Sequence, residues 1–423
     1  MGLFGGDVAG LEGGEGSDCV EGEVVVSLGE MKMHRQLAEA AAAVVEAVFG
    51  GRGVLDHALG KVLGGNPRWG KRDRGFVAGT VFEVVRWRRA LGFVADSEEV
   101  RALCAAQWVR DGYELPDWWE YRGVGVEGMR ERERELGGQS RAVRESVPDW
   151  LDEVAGGELG EAWDAELTAL NGRAAVFLRV NRLKGTREEA VEWLAGHGVE
   201  AREVPGVEDA LVLGSGKVLP KALLGEGRVE IQDAGSQLVG PMVDPQPGEL
   251  VIDACAGAGG KTLHLAALSG GRAKLVAMDV VPGKLEELRR RAERAGVRGV
   301  RTEVIGSGTV AGWSGKADRV LIDAPCSGLG TLRRQPDLKW RLSMERLEEL
   351  RALQRRILRE YAGMVRVGGR VVYATCSVLP SENRGAAESL SGPGEFALGE
   401  ERVVSPAATG FDGFYAAVLE RRA

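Results

Sequence analysis

The sequence lacks most of what secreted, membrane-spanning or metal-binding proteins need. Its 423 residues contain only five cysteines and four histidines, and no Cys-x-x-Cys pair occurs. An odd number of cysteines at unrelated spacings argues against a disulfide framework and favours a reducing, cytoplasmic compartment. The histidines lie far apart, so we predict no metal site. No apolar run approaches the ~20 residues of a bilayer-spanning helix, and the first residues lack the pattern of a secretory signal.

Positive charge is also in short supply, since the formal net charge is −8. Seven acidic residues and no Lys or Arg lie in residues 1–30, so the remaining chain carries a net charge of only −1. A nearly neutral body can still present a basic face. Residues 1–30 are also rich in glycine and poor in large apolar residues, which predicts a disordered acidic tail. The net charge therefore does not exclude RNA as a partner.

The rest of the chain divides into three predicted parts. Residues 31–145 contain runs of strong helix formers, such as Gln36 to Phe49, and predict an all-α domain. Residues 146–235 mix short strand-like runs with a helix and predict a small α+β module. Residues 236–423 alternate apolar strands with amphipathic helices. Such alternation is typical of the α/β class and predicts a doubly wound parallel sheet.

One helix of the α/β part is predicted from Met344 to Val367, where apolar residues recur at helical spacing and two glycines follow. The apolar stripe is typical of a core-facing surface. The polar side carries Arg355, Arg356 and Arg359. These arginines fit a solvated face, which is the simpler account, or a contact with RNA.

Two cysteines stand out because each closes a short apolar run. Cys326 follows the run from Arg319 to Asp323, and Cys376 follows the run from Arg370 to Thr375. Both runs are typical of buried strands. A right-handed crossover through the intervening helix makes them parallel neighbours. Because ligands of open α/β sheets bind at the carboxyl ends of strands, we expect both thiols at that edge. The alternative is that both are small buried hydrophobic residues.

A glycine-rich turn, Asp253-Ala-Cys-Ala-Gly-Ala-Gly-Gly-Lys-Thr262, follows the first strand of the same predicted sheet and opens a helix. In this placement the backbone can approach a nucleotide-like ligand. The spacing is neither a dinucleotide fingerprint nor a phosphate loop. Asp279 ends the next strand, near the ~20-residue separation at which an acid accepts hydrogen bonds from ribose hydroxyls. Adenosine without a pyrophosphate fits both features. The alternative is a turn chosen for tight packing, with Asp279 as a cap.

The two thiols and Asp323 suit chemistry on a pyrimidine ring. A thiolate is a strong nucleophile even when only a small fraction is ionised. Carbon 5 of cytosine does not accept a methyl group unaided, but thiolate addition at carbon 6 makes it nucleophilic. Asp323, protonated or hydrogen-bonded beside the base, would stabilise the addition. The second thiol would then help to break the adduct.

These motifs carry a family resemblance. The glycine-rich turn, the run from Asp323 to Arg341 and the run from Tyr373 to Asn383 resemble the signature motifs of the RsmB/NOP (Sun/Fmu) RNA cytosine-5 methyltransferases. The run from Gly70 to Arg89 resembles the NusB-like RNA-binding domain of the ribosomal-RNA branch of that family. The resemblance covers most of the chain after residue 35. Shorter matches extend it, namely Ser146–Leu151, Leu178–Asn181, Ile231–Gln237 and Asp412–Tyr415.

The resemblance implies a Rossmann-like methyltransferase sheet, S-adenosylmethionine as cofactor and a cytosine of small-subunit ribosomal RNA as target. It implies that Cys376 is the nucleophile and that Cys326 assists release, while the pyrimidine chemistry described above gives Asp323 its catalytic part. We expect no metal, no membrane partner and a monomer. The residues expected to contact the cofactor are Cys255, Ala256, Gly257, Ala258, Gly259, Gly260, Lys261, Asp279 and Asp323.

The sequence departs from the family pattern at two positions. Ala258 stands where the family usually has proline, and Ser307 stands where an acid normally meets the adenine amino group. The second change predicts weaker adenine recognition or recognition by backbone. Two other functions stay open: the same chemistry on transfer RNA, and a non-catalytic RNA-binding or ribosome-assembly factor. Four basic residues after the Pro-Cys motif are predicted to lie on a loop and to contact RNA phosphates, namely Arg333, Arg334, Lys339 and Arg341.

Overall fold

The computed structural model describes residues 33–51, 53–214, 219–391 and 394–423. The acidic tail predicted for residues 1–30 lies outside these ranges. The chain divides into two compact units, residues 1–137 and residues 138–423.

The first unit is helical wherever it forms regular structure in the described ranges. Trp108 is fully buried at its centre, where the indole N–H donates a hydrogen bond to Thr80 Oγ1 at 3.0 Å and the ring packs edge-on against Trp119. A satisfied indole of this kind anchors a helical core. The helices are α1 (Arg35–Phe49), α2 (Leu55–Gly65), α3 (Lys71–Arg86), α4 (Arg88–Ala95), α5 (Val100–Arg110) and α6 (Val126–Glu135).

The second unit begins with short helices and a four-stranded antiparallel sheet in the order β2-β3-β1-β4. The helix after β1 starts where Thr186 and Glu189 form a reciprocal capping box, which satisfies two free backbone N–H groups. The elements are α7 (Arg141–Arg144), α8 (Asp149–Leu159), α9 (Ala162–Leu170), β1 (Phe177–Val180), α10 (Arg187–Gly196), β2 (Ala201–Glu203), β3 (Ala210–Leu213), α11 (Lys221–Gly225) and β4 (Val229–Ile231).

The remainder forms a seven-stranded sheet in the order β10-β11-β9-β8-β5-β6-β7, in which β5 to β9 are parallel and β10 and β11 are antiparallel. The elements are α12 (Ala234–Gln237), α13 (Val239–Val243), β5 (Leu250–Asp253), α14 (Gly260–Leu268), β6 (Lys274–Asp279), α15 (Pro282–Ala295), β7 (Arg301–Val304), α16 (Thr309–Gly312), β8 (Ala317–Asp323), α17 (Leu338–Arg341), α18 (Met344–Ala362), β9 (Val365–Thr375), α19 (Arg384–Glu388), β10 (Phe396–Val404), α20 (Pro406–Thr409) and β11 (Phe414–Arg421).

Both faces of this sheet are buried. Val251 on β5 packs into a cluster with residues of α14 and α15, whereas its neighbour Ile252 packs on the other side with residues of α18. Successive side chains of a strand point to opposite faces, so helices must cover both. The predicted α/β class with a doubly wound, mostly parallel sheet is confirmed.

The helix predicted from Met344 to Val367 is too long. α18 ends at Ala362, and β9 begins at Val365, which pairs with Ala317 of β8. Met364 continues the helical spacing of the apolar stripe, but its backbone carbonyl accepts hydrogen bonds from Lys316 and Ala317. Pairing with β8 satisfies these backbone groups and overrides the local pattern.

Candidate active site

The two cysteines identified from the sequence lie side by side. β8 and β9 are parallel neighbours in which Asp323 pairs with Ala374, so both strands end at the same level. The Sγ atoms of Cys326 and Cys376, in the loops that follow, are 3.3 Å apart, and both residues are half-buried. The backbone N–H of Gly330 also donates to the Cys376 carbonyl at 2.9 Å, which ties the two loops together. Both thiols therefore face the same space at the carboxyl edge of the sheet.

The environment of Cys326 differs from that of an ordinary reactive thiol. Its hydrogen bond to Cys376, followed by burial, raises the pKa of Cys326 well above its usual value. A thiol with a raised pKa keeps its proton at neutral pH, whereas a nucleophile must be a thiolate. Cys326 therefore holds its proton more firmly than a free thiol does.

A half-buried ion pair borders the thiols. Lys261, on the first turn of α14, donates its Nζ proton to Asp323 Oδ2 at 2.6 Å. Burial acts to lower the pKa of Lys261, but attraction to Asp323 and the hydrogen bond to it outweigh burial, so the pKa is raised overall. The charge of nearby Cys376 adds to this rise. Sequence reasoning treated Lys261 only as a cofactor contact, whereas the structure brings its ammonium group to Cys376 and Asp323.

The glycine-rich turn uses its glycines for different purposes. Gly259 has φ +88°, and a Cβ atom there would lie 2.5 Å from Cγ of Leu288. Gly257 has φ +54°, but a Cβ atom there would meet nothing within 4 Å. Both residues adopt the left-handed conformation that glycine permits. Gly259 is thus required by packing, whereas Gly257 borders open space at the carboxyl edge of β5.

Asp279 fastens this turn to the end of β6. Its Oδ2 accepts a hydrogen bond from the backbone N–H of Gly257 at 2.9 Å, and its Oδ1 accepts one from Val281 at 2.9 Å. A carboxylate has about four acceptor positions, so each oxygen keeps one for a ligand. Asp279 acts as a cap, which was the packing alternative, and also retains acceptor capacity beside the open space.

The other residues of the turn are held through their backbone. Ala256 N–H donates to the Met278 carbonyl at 2.8 Å, and Arg291 donates to the Ala258 carbonyl at 3.0 Å. Cys255 packs on the face of the sheet that α18 covers, among apolar residues, and burial raises its pKa well above the usual value. Any contact of these three residues with a ligand is therefore through main-chain atoms or small side chains.

Asp253, at the start of the turn, is a buried acid that sequence reasoning left without a role. Thr262 donates its hydroxyl to Asp253 Oδ2 at 2.6 Å, while Oδ1 has no hydrogen-bond partner among the described residues. Burial raises the pKa of Asp253 to about 7. Ser307, the residue in place of the expected acid, is exposed in the loop that follows β7.

Two further buried residues support the site, and sequence reasoning did not single them out. Glu382 accepts hydrogen bonds from the residues that follow both cysteines. Arg179 of β1 donates to the carbonyl of Gly260 at 2.5 Å, and burial lowers its pKa to about 10. Both lie inside runs that resemble the family, which was the available signal.

Four basic residues after the Pro-Cys motif are predicted to contact RNA from a loop, and for three of them, Arg333, Arg334 and Lys339, the prediction is wrong. Lys339 is fully buried and donates to Asn171 Oδ1 at 3.1 Å. Arg334 bridges Asp233 and Asp412 at 2.9 Å and 2.7 Å, and Arg333 also binds Asp412. Arg341 pairs with Asp337 within α17 and the turn before it. The charges of Arg333, Arg334 and Lys339 are therefore satisfied inside the protein, whereas Arg341 is exposed.

Among the described residues, no helix is long and apolar enough to cross a bilayer. In the same ranges, no group of three or more His, Cys, Asp or Glu side chains is arranged to hold a metal ion.

The chain is similar to known proteins over most of its length. The family profile described as 16S rRNA methyltransferase RsmB/F matches residues 241–420, and the profile of the RsmF/B-like ferredoxin-like domain matches residues 147–218. Ribosomal RNA small subunit methyltransferase B of Pseudomonas putida is 31% identical over 380 residues, which cover 81% of this chain and 86% of that protein.

Solved structures share the fold. The crystal structure of PH0851 has a TM-score of 0.75 at 22% identity and covers 92% of this chain and 100% of that one. A methyltransferase homologue from Pyrococcus horikoshii has a TM-score of 0.59 at 25% identity and covers 67% of this chain and 97% of that one.

Proposed function

Since the chain belongs to the RsmB/F family of 16S ribosomal RNA methyltransferases, we propose that it transfers a methyl group from S-adenosylmethionine to carbon 5 of a cytosine in small-subunit ribosomal RNA. The observation that carries the proposal is the 3.3 Å separation of the Cys326 and Cys376 sulfurs beside the Lys261–Asp323 pair. Two thiols in one site suit a reaction in which one adds to the base and the other assists its release.

The proposed reaction begins when the Cys376 thiolate adds to carbon 6 of the base. Electron density then moves into the ring, where the ammonium group of Lys261 stabilises the negative charge that develops, while the adjoining Asp323 carboxylate accepts a hydrogen bond from the exocyclic amine of the base. The carbon 5 so activated takes the methyl group. Loss of the carbon 5 proton to a base in the site re-forms the double bond and expels the Cys376 sulfur. Cys326, which holds its own proton at neutral pH, is placed to exchange protons with that sulfur.

The glycine-rich turn fits S-adenosylmethionine, which supplies an electrophilic methyl group. The space beside Gly257 admits a ligand against the backbone, and the free acceptor positions of Asp279 suit ribose hydroxyls. The residues that would hold the cofactor are Cys255, Ala256, Gly257, Ala258, Gly259, Gly260, Lys261, Asp279 and Asp323.

The proposal extends to the rest of the chain. Residues 31–145 would be a NusB-like RNA-binding domain, residues 146–235 a small RNA-binding module and residues 236–423 the methyltransferase domain. The helical character of the first agrees with a NusB-like fold, and the antiparallel sheet of the second agrees with a separate small module. The protein would act in the cytoplasm, where ribosomal RNA is the substrate, and as a monomer.

Two cysteine variants test the chemistry. Cys376→Ala should abolish methyl transfer and leave S-adenosylmethionine affinity unchanged, because the turn and Asp279 are untouched. Cys326→Ala should accumulate a denaturation-resistant protein–RNA adduct that needs S-adenosylmethionine and disappears in the double variant. An adduct in Cys376→Ala but not in Cys326→Ala would reverse the two roles. The wild-type protein should be assayed on 16S ribosomal RNA and on transfer RNA, and transfer to neither would favour a non-catalytic assembly factor.

A further inference from the structure

Glu382 lies between the two cysteine loops and is fully buried. Its Oε1 accepts hydrogen bonds from the backbone N–H of Ser327 at 2.8 Å and from Gln354 Nε2 at 2.9 Å. Its Oε2 accepts hydrogen bonds from the hydroxyls of Ser327 and Ser377, each at 2.5 Å. The two serines directly follow Cys326 and Cys376 in the chain. A single carboxylate thus joins both cysteine loops and fills its acceptor positions with donors.

The backbone of Glu382 is itself held to the sheet and to the nucleophile loop. The Tyr373 hydroxyl, on β9, donates to the Glu382 carbonyl at 2.7 Å. The next residue, Asn383, accepts from Thr375 Oγ1 at 2.5 Å and donates to the Ser377 carbonyl at 2.9 Å. The carboxylate therefore joins the loops from a fixed support rather than from a freely moving segment.

We propose that Glu382 is a positioning residue that holds the Cys326 and Cys376 sulfurs at reacting distance by binding the serine after each cysteine. This inference rests on the proposed function, because it assigns to Glu382 the geometry that a two-thiol reaction needs. Misplacement of reacting atoms by about 1 Å costs on the order of 100-fold in rate.

A purely structural role explains less of what is observed. No cation lies within ion-pair distance of Glu382 among the described residues, so its negative charge is buried on hydrogen bonds alone. Burying a charge is costly unless it is paired or fully hydrogen-bonded, and an apolar residue would fill a core more cheaply. What an apolar residue cannot do is bind two serines at once, and both are fixed neighbours of the thiols.

The test uses a probe of thiol spacing that does not depend on catalysis. Phenylarsine oxide binds two neighbouring thiols together much more tightly than it binds one, with release of water. We expect Cys326→Ala to show single-thiol affinity. We expect Glu382→Ala to lose about tenfold or more of the wild-type affinity, because the second sulfur no longer has a high effective concentration. Mapping of the arsenical to Cys326 and Cys376 by mass spectrometry excludes the other cysteines.

Activity and rescue provide the second measurement. Glu382→Ala should lower kcat by about 100-fold while KM for RNA stays near the wild-type value. Glutamine has nearly the same shape as glutamate. In Glu382→Gln the amide oxygen can still accept hydrogen bonds from the Ser327 N–H and from Gln354, and the NH₂ group can donate to the two serine hydroxyls once these rotate. This variant should therefore retain the arsenical affinity and most of kcat. Glu382→Asp is one methylene shorter, cannot reach both loops and should resemble Glu382→Ala.

Glu166→Ala is the matched control. Glu166 is also a buried carboxylate that accepts from a serine hydroxyl, Ser405 Oγ, and from a backbone N–H, that of Ala407. It should lose stability but keep arsenical affinity. Unchanged affinity in Glu382→Ala, an equal loss in Glu166→Ala, or equal affinity in the wild type and Cys326→Ala would each overturn the proposal. If the wild type methylates no RNA, the proposed function fails, but the arsenical affinities still show whether Glu382 holds the two thiols together. Failure of the proposed function and failure of the positioning role are therefore distinguishable.

Discussion

Arg334 offers the most direct test of the difference between the sequence prediction and the structure. Its guanidinium lies between the buried carboxylates of Asp233 and Asp412 and also donates to the carbonyl of Ala175 at 3.0 Å. Arg334→Met keeps most of the volume but leaves the two acids without this partner. Breaking a buried ion pair from one side costs about 3–5 kcal/mol. Arg333 still binds Asp412 at 3.2 Å, so we expect the lower end, about 3 kcal/mol.

Thermal unfolding and RNA binding distinguish an internal ion pair of Arg334 from a contact between Arg334 and an RNA phosphate. A loss of 3 kcal/mol should lower Tm by roughly 6–12 °C, at about 2–4 °C per kcal/mol for a unit of this size. The control is Arg356→Met on the exposed side of α18, which should stay within about 0.5 kcal/mol of wild type. Arg334→Met should leave the salt dependence of RNA binding unchanged. An unaltered Tm together with a log-log salt slope reduced by about 0.7–0.9 would refute the reasoning and restore a phosphate contact.

Further predictions concern the turn and one buried histidine. Gly259→Ala should lower Tm, because its Cβ would lie 2.5 Å from Leu288 Cγ. Gly257→Ala should mainly weaken S-adenosylmethionine binding in calorimetry, because its Cβ enters open space. Burial lowers the pKa of His264 to about 4, so the unfolded chain binds the extra proton first as pH falls from 6.5. His264 alone should therefore lower the free energy of unfolding by about 2 kcal/mol between pH 7 and pH 5, whereas Asp253, whose pKa is raised to about 7, gains its proton in the folded state and acts in the opposite direction. Urea unfolding of the wild type and His264→Gln at both pH values isolates the histidine, because the wild type should lose about 2 kcal/mol relative to the variant. An equal change in both proteins would contradict the assignment.

The position of the two thiols was predictable because it follows from rules that are visible along the chain. Apolar runs mark buried strands, and the right-handed crossover makes β8 and β9 parallel neighbours. Cys326 and Cys376 follow those strands directly, so their meeting at one edge needs no knowledge of side-chain packing. The 3.3 Å separation itself needs more, because it depends on a buried carboxylate between the loops.

The basic residues after the Pro-Cys motif show what local patterns cannot reveal. A cluster of arginine and lysine on a polar run resembles a phosphate-binding loop when its partners are unknown. Arg334 pairs with two acids, Asp233 and Asp412, which lie 101 and 78 residues away in the chain. Only the packing of β11 and α12 against the loop brings them together. A charge pattern therefore predicts a binding surface only after its internal partners have been excluded.

Two contacts with α14 join the antiparallel sheet to the candidate active site. Arg179 of β1 donates to the Gly260 carbonyl at the start of α14, and Asp209, next to β3, binds His264 in the middle of that helix at 3.1 Å. Residues 138–423 accordingly form one compact unit. If the antiparallel sheet contacts RNA as proposed, any shift of that sheet acts directly on the turn that carries Lys261. Substrate binding and the geometry of the reacting groups are then linked through two buried contacts rather than through a flexible connection.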